Sequence, residues 1–159
     1  MILVLLVALT PETKLVLKMT PTTSTILYIE DDPDTRELIS FLLRQENYEV
    51  VVAETPDQAL ELAQTMPFDL CMLDNWMPGA SGIDLCTKLR SFDSNTPILF
   101  YSGAAYDRDK REAFAAGAQG YLTKPTDNDT LVQEVARLIS EARGRNIAAS
   151  SVLSKRAAI

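Results

Sequence analysis

The stretch Leu70-Cys71-Met72-Leu73-Asp74-Asn75-Trp76-Met77-Pro78-Gly79 decides how the chain is read. An apolar run of strand character ends in a carboxylate, and a Pro-Gly turn signal follows at once. An Asp at the carboxyl end of a buried strand stands where open α/β sheets bind ligands. A lone Asp there often does no more than cap a turn. What the other strands end with therefore decides its meaning.

Outward from that strand the same pattern recurs on both sides. Residues 25–29 read as a short apolar strand ended by Glu30, Asp31 and Asp32. Pro33 opens a helix with Asp32 as its N-cap, and Leu38, Phe41 and Leu42 supply its apolar stripe. Residues 48–52 are the second strand, and Thr55-Pro56 starts a helix carrying Ala59, Leu60, Leu62 and Ala63. The central strand covers 68–73, and a third helix over 81–90 offers Ile83, Leu85, Cys86 and Leu89 for burial. Residues 97–101 form the fourth strand, which ends at Ser102-Gly103. An Ala-rich helix over 107–116 stops at Gly117. Residues 119–122 form a short fifth strand, ending at Thr123-Lys124-Pro125. The last helix, over 127–142, spaces Leu131, Val135, Leu138 and Ile139 helically. Apolar strands alternating with helical crossovers predict the α/β class: a doubly wound, five-stranded parallel sheet with helices on both faces.

At 159 residues the chain has room for one domain with a full core. Its net charge of −7 argues against unaided binding to nucleic acid. The apolar run from Met1 to Leu9 is too short for a membrane span, and no positive charge precedes it as in a signal peptide. Cys71 and Cys86 read as buried free thiols of a reducing compartment, so the expected location is cytoplasmic. The chain has no histidine, so any phosphohistidine in its chemistry belongs to a partner. Residues 1–24 read as a weakly ordered N-terminal extension, in which Met19 offers a second start. Residues 25–142 make the domain, and 143–159 a short basic tail that leaves no room for a DNA-binding helix-turn-helix.

The strand ends carry the chemistry. The first brings Glu30 and Asp31, the third Asp74, the fourth Ser102 and the fifth Lys124. In a parallel sheet these ends share one edge and converge. Clustered carboxylates repel one another and are tolerated around a hard divalent cation such as Mg²⁺. A hydroxyl and an ammonium opposite them suit a phosphoryl group. Asp74 is then the central carboxylate nucleophile.

These pieces together resemble the receiver domain of two-component response regulators, in the single-domain, chemotaxis-regulator-like form. The matching segments are Ile26-Leu27-Tyr28-Ile29-Glu30-Asp31-Asp32-Pro33, the run from Asp74 to Gly82, Pro97-Ile98-Leu99-Phe100-Tyr101-Ser102-Gly103, and the run from Ala116 to Pro125. The resemblance covers residues 25–142 and implies a flavodoxin-like fold, whose strand order in this family is 2-1-3-4-5. It implies that Asp74 is the phosphoacceptor. Glu30, Asp31 and Asp74 would hold Mg²⁺, with the backbone carbonyl of Trp76 completing the protein ligands. Ser102 would be the switch hydroxyl, Lys124 the partner of the phosphoryl group, and Tyr121 the aromatic switch residue that moves inward. The Lys124-Pro125 bond would be cis. The implied partners are a sensor histidine kinase or histidine phosphotransfer protein and a downstream target protein. That target would meet the surface of the fourth helix, fifth strand and fifth helix. The resemblance leaves room for a homodimer and implies a switch, not an enzyme.

The sequence departs from the family pattern in places. Glu30 stands where Asp is more usual, and Ser102 where Thr is commoner. Trp76 and Ala104 occupy the two positions that tune hydrolysis of the acyl phosphate in the family, and neither orients a water. Slow self-dephosphorylation is therefore expected. A haloacid-dehalogenase-type phosphatase would need a second Asp where Trp76 stands, and the Gly-rich phosphate loop of a nucleotidase is absent. A receiver-like scaffold that is not phosphorylated, and a receiver fragment of a larger hybrid kinase or regulator, are the remaining alternatives.

Overall fold

A computed structural model describes residues 23–156. The expected N-terminal extension lies outside the described residues apart from its last two positions. In chain order the elements are β1 (Thr25–Ile29), α1 (Pro33–Gln45), β2 (Glu49–Ala53), α2 (Pro56–Thr65), β3 (Leu70–Leu73), β4 (Trp76–Met77), β5 (Ala80–Ser81), α3 (Gly82–Arg90), β6 (Ile98–Ser102), α4 (Asp107–Ala115), β7 (Gly120–Thr123) and α5 (Asn128–Arg156).

The main sheet has the order β2-β1-β3-β6-β7, and every pairing in it is parallel. With the two-residue strands β4 and β5 set aside, this is the 2-1-3-4-5 order implied by the resemblance. Strand bounds fall slightly later than the apolar runs suggest: β6 begins at Ile98 and takes in Ser102, and β7 takes in Thr123. The ladder continues where backbone partners exist, as in Lys124 N–H donating to the Ser102 carbonyl at 2.8 Å.

Alternation along each strand sends successive side chains to opposite faces. One face carries Leu27, Ile29, Leu73 and Phe100 against Leu85, Cys86 and Leu89 of α3 and Ala59 of α2. The other carries Ile26, Tyr28, Met72 and Leu99 against Ile39 and Leu43 of α1 and Leu131, Val135 and Leu138 of α5. Each fully buried aliphatic side chain contributes on the order of 1.5–3 kcal/mol relative to exposure. Cys71 and Cys86 are both buried free thiols, and burial pushes the Cys71 thiol up to about 12.

Two local expectations need correction. The stripe assigned to α1 is partly misplaced: Leu42 packs against the core, but Leu38 and Phe41 are 65% and 60% exposed, and Ile39 and Leu43 face the sheet. The roll of the helix is set by its start. Asp32 Oδ1 accepts the Thr35 N–H at 2.8 Å, Pro33 follows at once, and the connection from β1 is three residues long. The last helix also does not stop near Ala142. It runs as one element to Arg156, through most of the expected tail, because no proline interrupts it and Ala148 and Ala149 favour it.

Two glycines fix the chain after β3. Gly79 has φ +80° at the third position of the turn joining β4 to β5, with Pro78 before it, as a type II turn requires. Gly82 begins α3 directly behind the end of β3. A Cβ there would lie 2.3 Å from the Asp74 carbonyl oxygen and 2.9 Å from Asn75 Cα. These are backbone atoms with little room to yield. Gly82→Ala is expected to destabilise the fold by about 1–3 kcal/mol or more in urea unfolding. Gly144→Ala on α5, where a Cβ meets nothing, is expected to stabilise it by up to about 1 kcal/mol in the same measurement.

Candidate phosphoacceptor site

Register builds the site. Ile29 pairs with Leu73, so the residues that follow, Glu30 and Asp74, emerge side by side at one sheet edge. Asp74 is tied to β1 by its own N–H, which donates to the Ile29 carbonyl at 3.1 Å. Glu30 is 1% exposed and Asp74 7%, a depth at which unpaired carboxylates are costly. Oxygens of Glu30, Asp31 and Asp74 all lie within 4.8 Å of one another.

Lys124 answers two of them. Its Nζ donates to Asp74 Oδ2 at 2.9 Å and also to Glu30 Oε2. The ammonium lies 5.2 Å from the centre of the Tyr101 ring, within cation–π range. Burial works against the charged lysine, but its bonds to Glu30 and Asp74 outweigh burial and raise its pKa above the ordinary lysine value. Three carboxylates facing one ammonium still leave uncompensated negative charge. Oxygen-only donors at this spacing fit a hard divalent cation of the Mg²⁺ kind.

Asp74 has both oxygens engaged, since Oδ1 accepts the Trp76 N–H at 3.1 Å. Trp76 is 70% exposed at the mouth of a cleft of about 500 Å³. Glu30, Asp31, Asp74, Trp76, Ala104 and Lys124 all line that cleft. Ser102 sits behind it, fully buried, and its Oγ accepts the N–H groups of Asn75 and Ala104, each at 3.3 Å. Tyr121 adjoins it. Its ring stacks on Phe100 with centroids 5.8 Å apart, and its hydroxyl donates to the Ala104 carbonyl at 2.6 Å. Tyr121 is thus already half-buried, and burial raises its phenol pKa. The Lys124-Pro125 bond is cis.

The residues expected to converge do so: Glu30, Asp31, Asp74, Trp76 and Lys124 share one cleft, with Ser102 and Tyr121 against its β6 side. Three contributors lie outside the residues that the sequence points to. Arg36 clamps the loop after β1 by donating to the carbonyls of Glu30 and Asp31 at 2.9 and 3.2 Å. Tyr101 lies beneath the lysine, and the Tyr28 hydroxyl donates to Glu30 Oε2 at 3.1 Å. Tyr28 lies two residues before Glu30, which directly follows β1, so the two side chains share a face.

Residues 26–136 match the model of the response regulator receiver domain. The chain belongs to this family. Among curated proteins it is 33% identical over 119 residues to the cell cycle transcriptional regulator CtrA of Caulobacter vibrioides. That match covers 75% of this chain and 52% of the relative, so the chain spans about half the length of the curated relatives it matches. Among solved structures, the chemotaxis protein CheY4 of Vibrio cholerae is 31% identical with a TM-score of 0.70, covering 74% of this chain and 99% of that one. The response regulator TrrA of Thermotoga maritima, solved in complex with Mg²⁺-BeF, is 30% identical with a TM-score of 0.68, covering 73% and 99%. Receiver domains serve phosphorylation-dependent two-component signalling as switches. Among the described residues no helix is long and apolar enough to cross a membrane.

The Lys124 arrangement has a measurable consequence. A lysine whose folded pKa is raised contributes stability that is full below its unfolded pKa of about 10.4 and is lost as pH rises through the folded value. In Mg²⁺-free buffer, Lys124→Met is expected to cost about 3 kcal/mol in urea unfolding near neutral pH, because it strands two buried carboxylates. The gap to wild type should close as the alkaline limit is approached.

Proposed function

We propose that this chain is a phosphorylation-dependent switch in which Asp74 accepts a phosphoryl group from a phosphohistidine of a sensor histidine kinase or histidine phosphotransfer protein. The reading is carried by one observation: three strand-end carboxylates converge within 4.8 Å, and a single lysine bridges two of them. An Asp74 oxygen attacks phosphorus in line. The new P–O bond forms as the P–N bond to the donor imidazole breaks, and the leaving imidazole nitrogen takes up a proton.

Glu30, Asp31 and Asp74, with the Trp76 carbonyl, would hold Mg²⁺. When bound, Mg²⁺ supplies positive charge to the phosphoryl oxygens. Lys124 neutralises another phosphoryl oxygen from the opposite side, exchanging its bond to Asp74 for one to the phosphoryl group. The Ser102 hydroxyl, which accepts two N–H groups, has its own proton to donate to the phosphoryl oxygen. Tyr121 follows because its hydroxyl is anchored on Ala104, two residues beyond Ser102. The change is read by a target protein on the face of α4, β7 and α5.

Intact-mass measurement after incubation with acetyl phosphate and Mg²⁺ should show one added phosphoryl group. It should be absent in Asp74→Asn and when EDTA replaces Mg²⁺. Trp76 and Ala104 line the cleft without a side-chain acceptor to orient an attacking water. The doubly substituted variant Trp76→Asn, Ala104→Glu is therefore expected to lose its phosphoryl group about tenfold faster, or more. The time course of the same mass signal measures this, and an unchanged or longer half-life would contradict it.

A further inference from the structure

Tyr28 is 0% exposed, yet it ends in a hydroxyl whose proton goes to Glu30 Oε2 at 3.1 Å. The same oxygen receives Lys124 Nζ, and the other, Oε1, accepts the Asp32 N–H at 3.3 Å. We propose that Tyr28 is the positioning residue for Glu30: its buried hydroxyl fixes the carboxylate in the orientation that serves the Mg²⁺ and phosphoryl site. The proposal rests on the phosphoacceptor reading given above.

Tyr28 stands below the cleft and acts only through Glu30. The dependence runs both ways. A buried phenol hydroxyl without an acceptor is costly, and Glu30 is the acceptor that it has. An Asp at position 30 would end one methylene, about 1.5 Å, short of that hydroxyl. The length of the acid is thus matched to the tyrosine two residues before it. Groups that orient ligands from outside are worth about 10–100-fold in metal affinity. They also couple non-additively with the ligand that they orient.

A double-mutant cycle of wild type, Tyr28→Phe, Glu30→Asp and the double variant tests this. Mg²⁺ affinity is read from the fluorescence of Trp76, and phosphorylation from the rate of mass gain with acetyl phosphate. Stability is read from urea unfolding in EDTA. Tyr28→Phe and Glu30→Asp are each expected to weaken Mg²⁺ binding about tenfold. The double variant should fall well short of their product, about a hundredfold. In EDTA, Glu30→Asp should destabilise less when Tyr28 is already replaced. Affinity of Tyr28→Phe within twofold of wild type, or effects that multiply, overturns the proposal while wild-type phosphorylation stands. A wild type that neither responds to Mg²⁺ nor gains mass overturns the phosphoacceptor reading and this proposal with it. If Tyr28→Phe does not fold, the Tyr28 hydroxyl proton of the wild type is followed by NMR. A slowly exchanging resonance that shifts on adding Mg²⁺ supports the proposal, and one that stays in place overturns it.

Discussion

Two acids buried at the same sheet edge cannot be left without a countercharge, and the ammonium of Lys124 is what lets Glu30 and Asp74 sit there. The parallel ladder forces the juxtaposition: once Ile29 pairs with Leu73, the next residue of each strand must share the edge. Lys124 arrives from the other end of the sheet, just past β7, whose register places Thr123 opposite Ser102. The site is therefore a product of strand order. Neighbouring strands β1 and β3 supply the acids, and the edge strand β7 carries the base over to them.

That balance is incomplete from a chemical standpoint. One lysine offsets one carboxylate and leaves the others exposed to mutual repulsion, so the cleft is favourable ground for a cation. On the hydroxyl side of the cleft, the bonds that Ser102 accepts from the backbone are weak. Ser102 Oγ is shared between two amides at 3.3 Å, a long distance for such bonds. Accepted bonds this long are given up at small cost, and Tyr121 is bonded to the same short loop that would move with Ser102.

Much of this is legible from residue order. The acids at the ends of β1 and β3, the hydroxyl of β6 and the lysine after β7 follow apolar runs whose length and alternation mark them as strands. Helix roll is less legible. The amphipathic pattern of α1 admits both Leu38-Phe41 and Ile39-Leu43 as the inner face, and the choice is made by a tight connection and a cap, not by hydrophobicity. Tyr28 is hard to single out because a tyrosine in an apolar strand reads as core, and it is core; only the position of its hydroxyl relative to Glu30 gives it another part. The end of α5 is equally hard to place, because a basic, Ala/Ser-rich composition resembles a tail as much as it resembles exposed helix.

The continuation of α5 alters how far a movement in the receiver would reach. From Ala142 to Arg156 the helix adds about 21 Å at its regular rise. A rod of that length, rooted in the core through Leu131, Val135 and Leu138 and tied by Arg143 to Ser24 and Asp69, would act as a lever. A tilt of about 5° at the root displaces the tip by about 2 Å, which is enough to make or break a side-chain contact without any rearrangement within the helix itself.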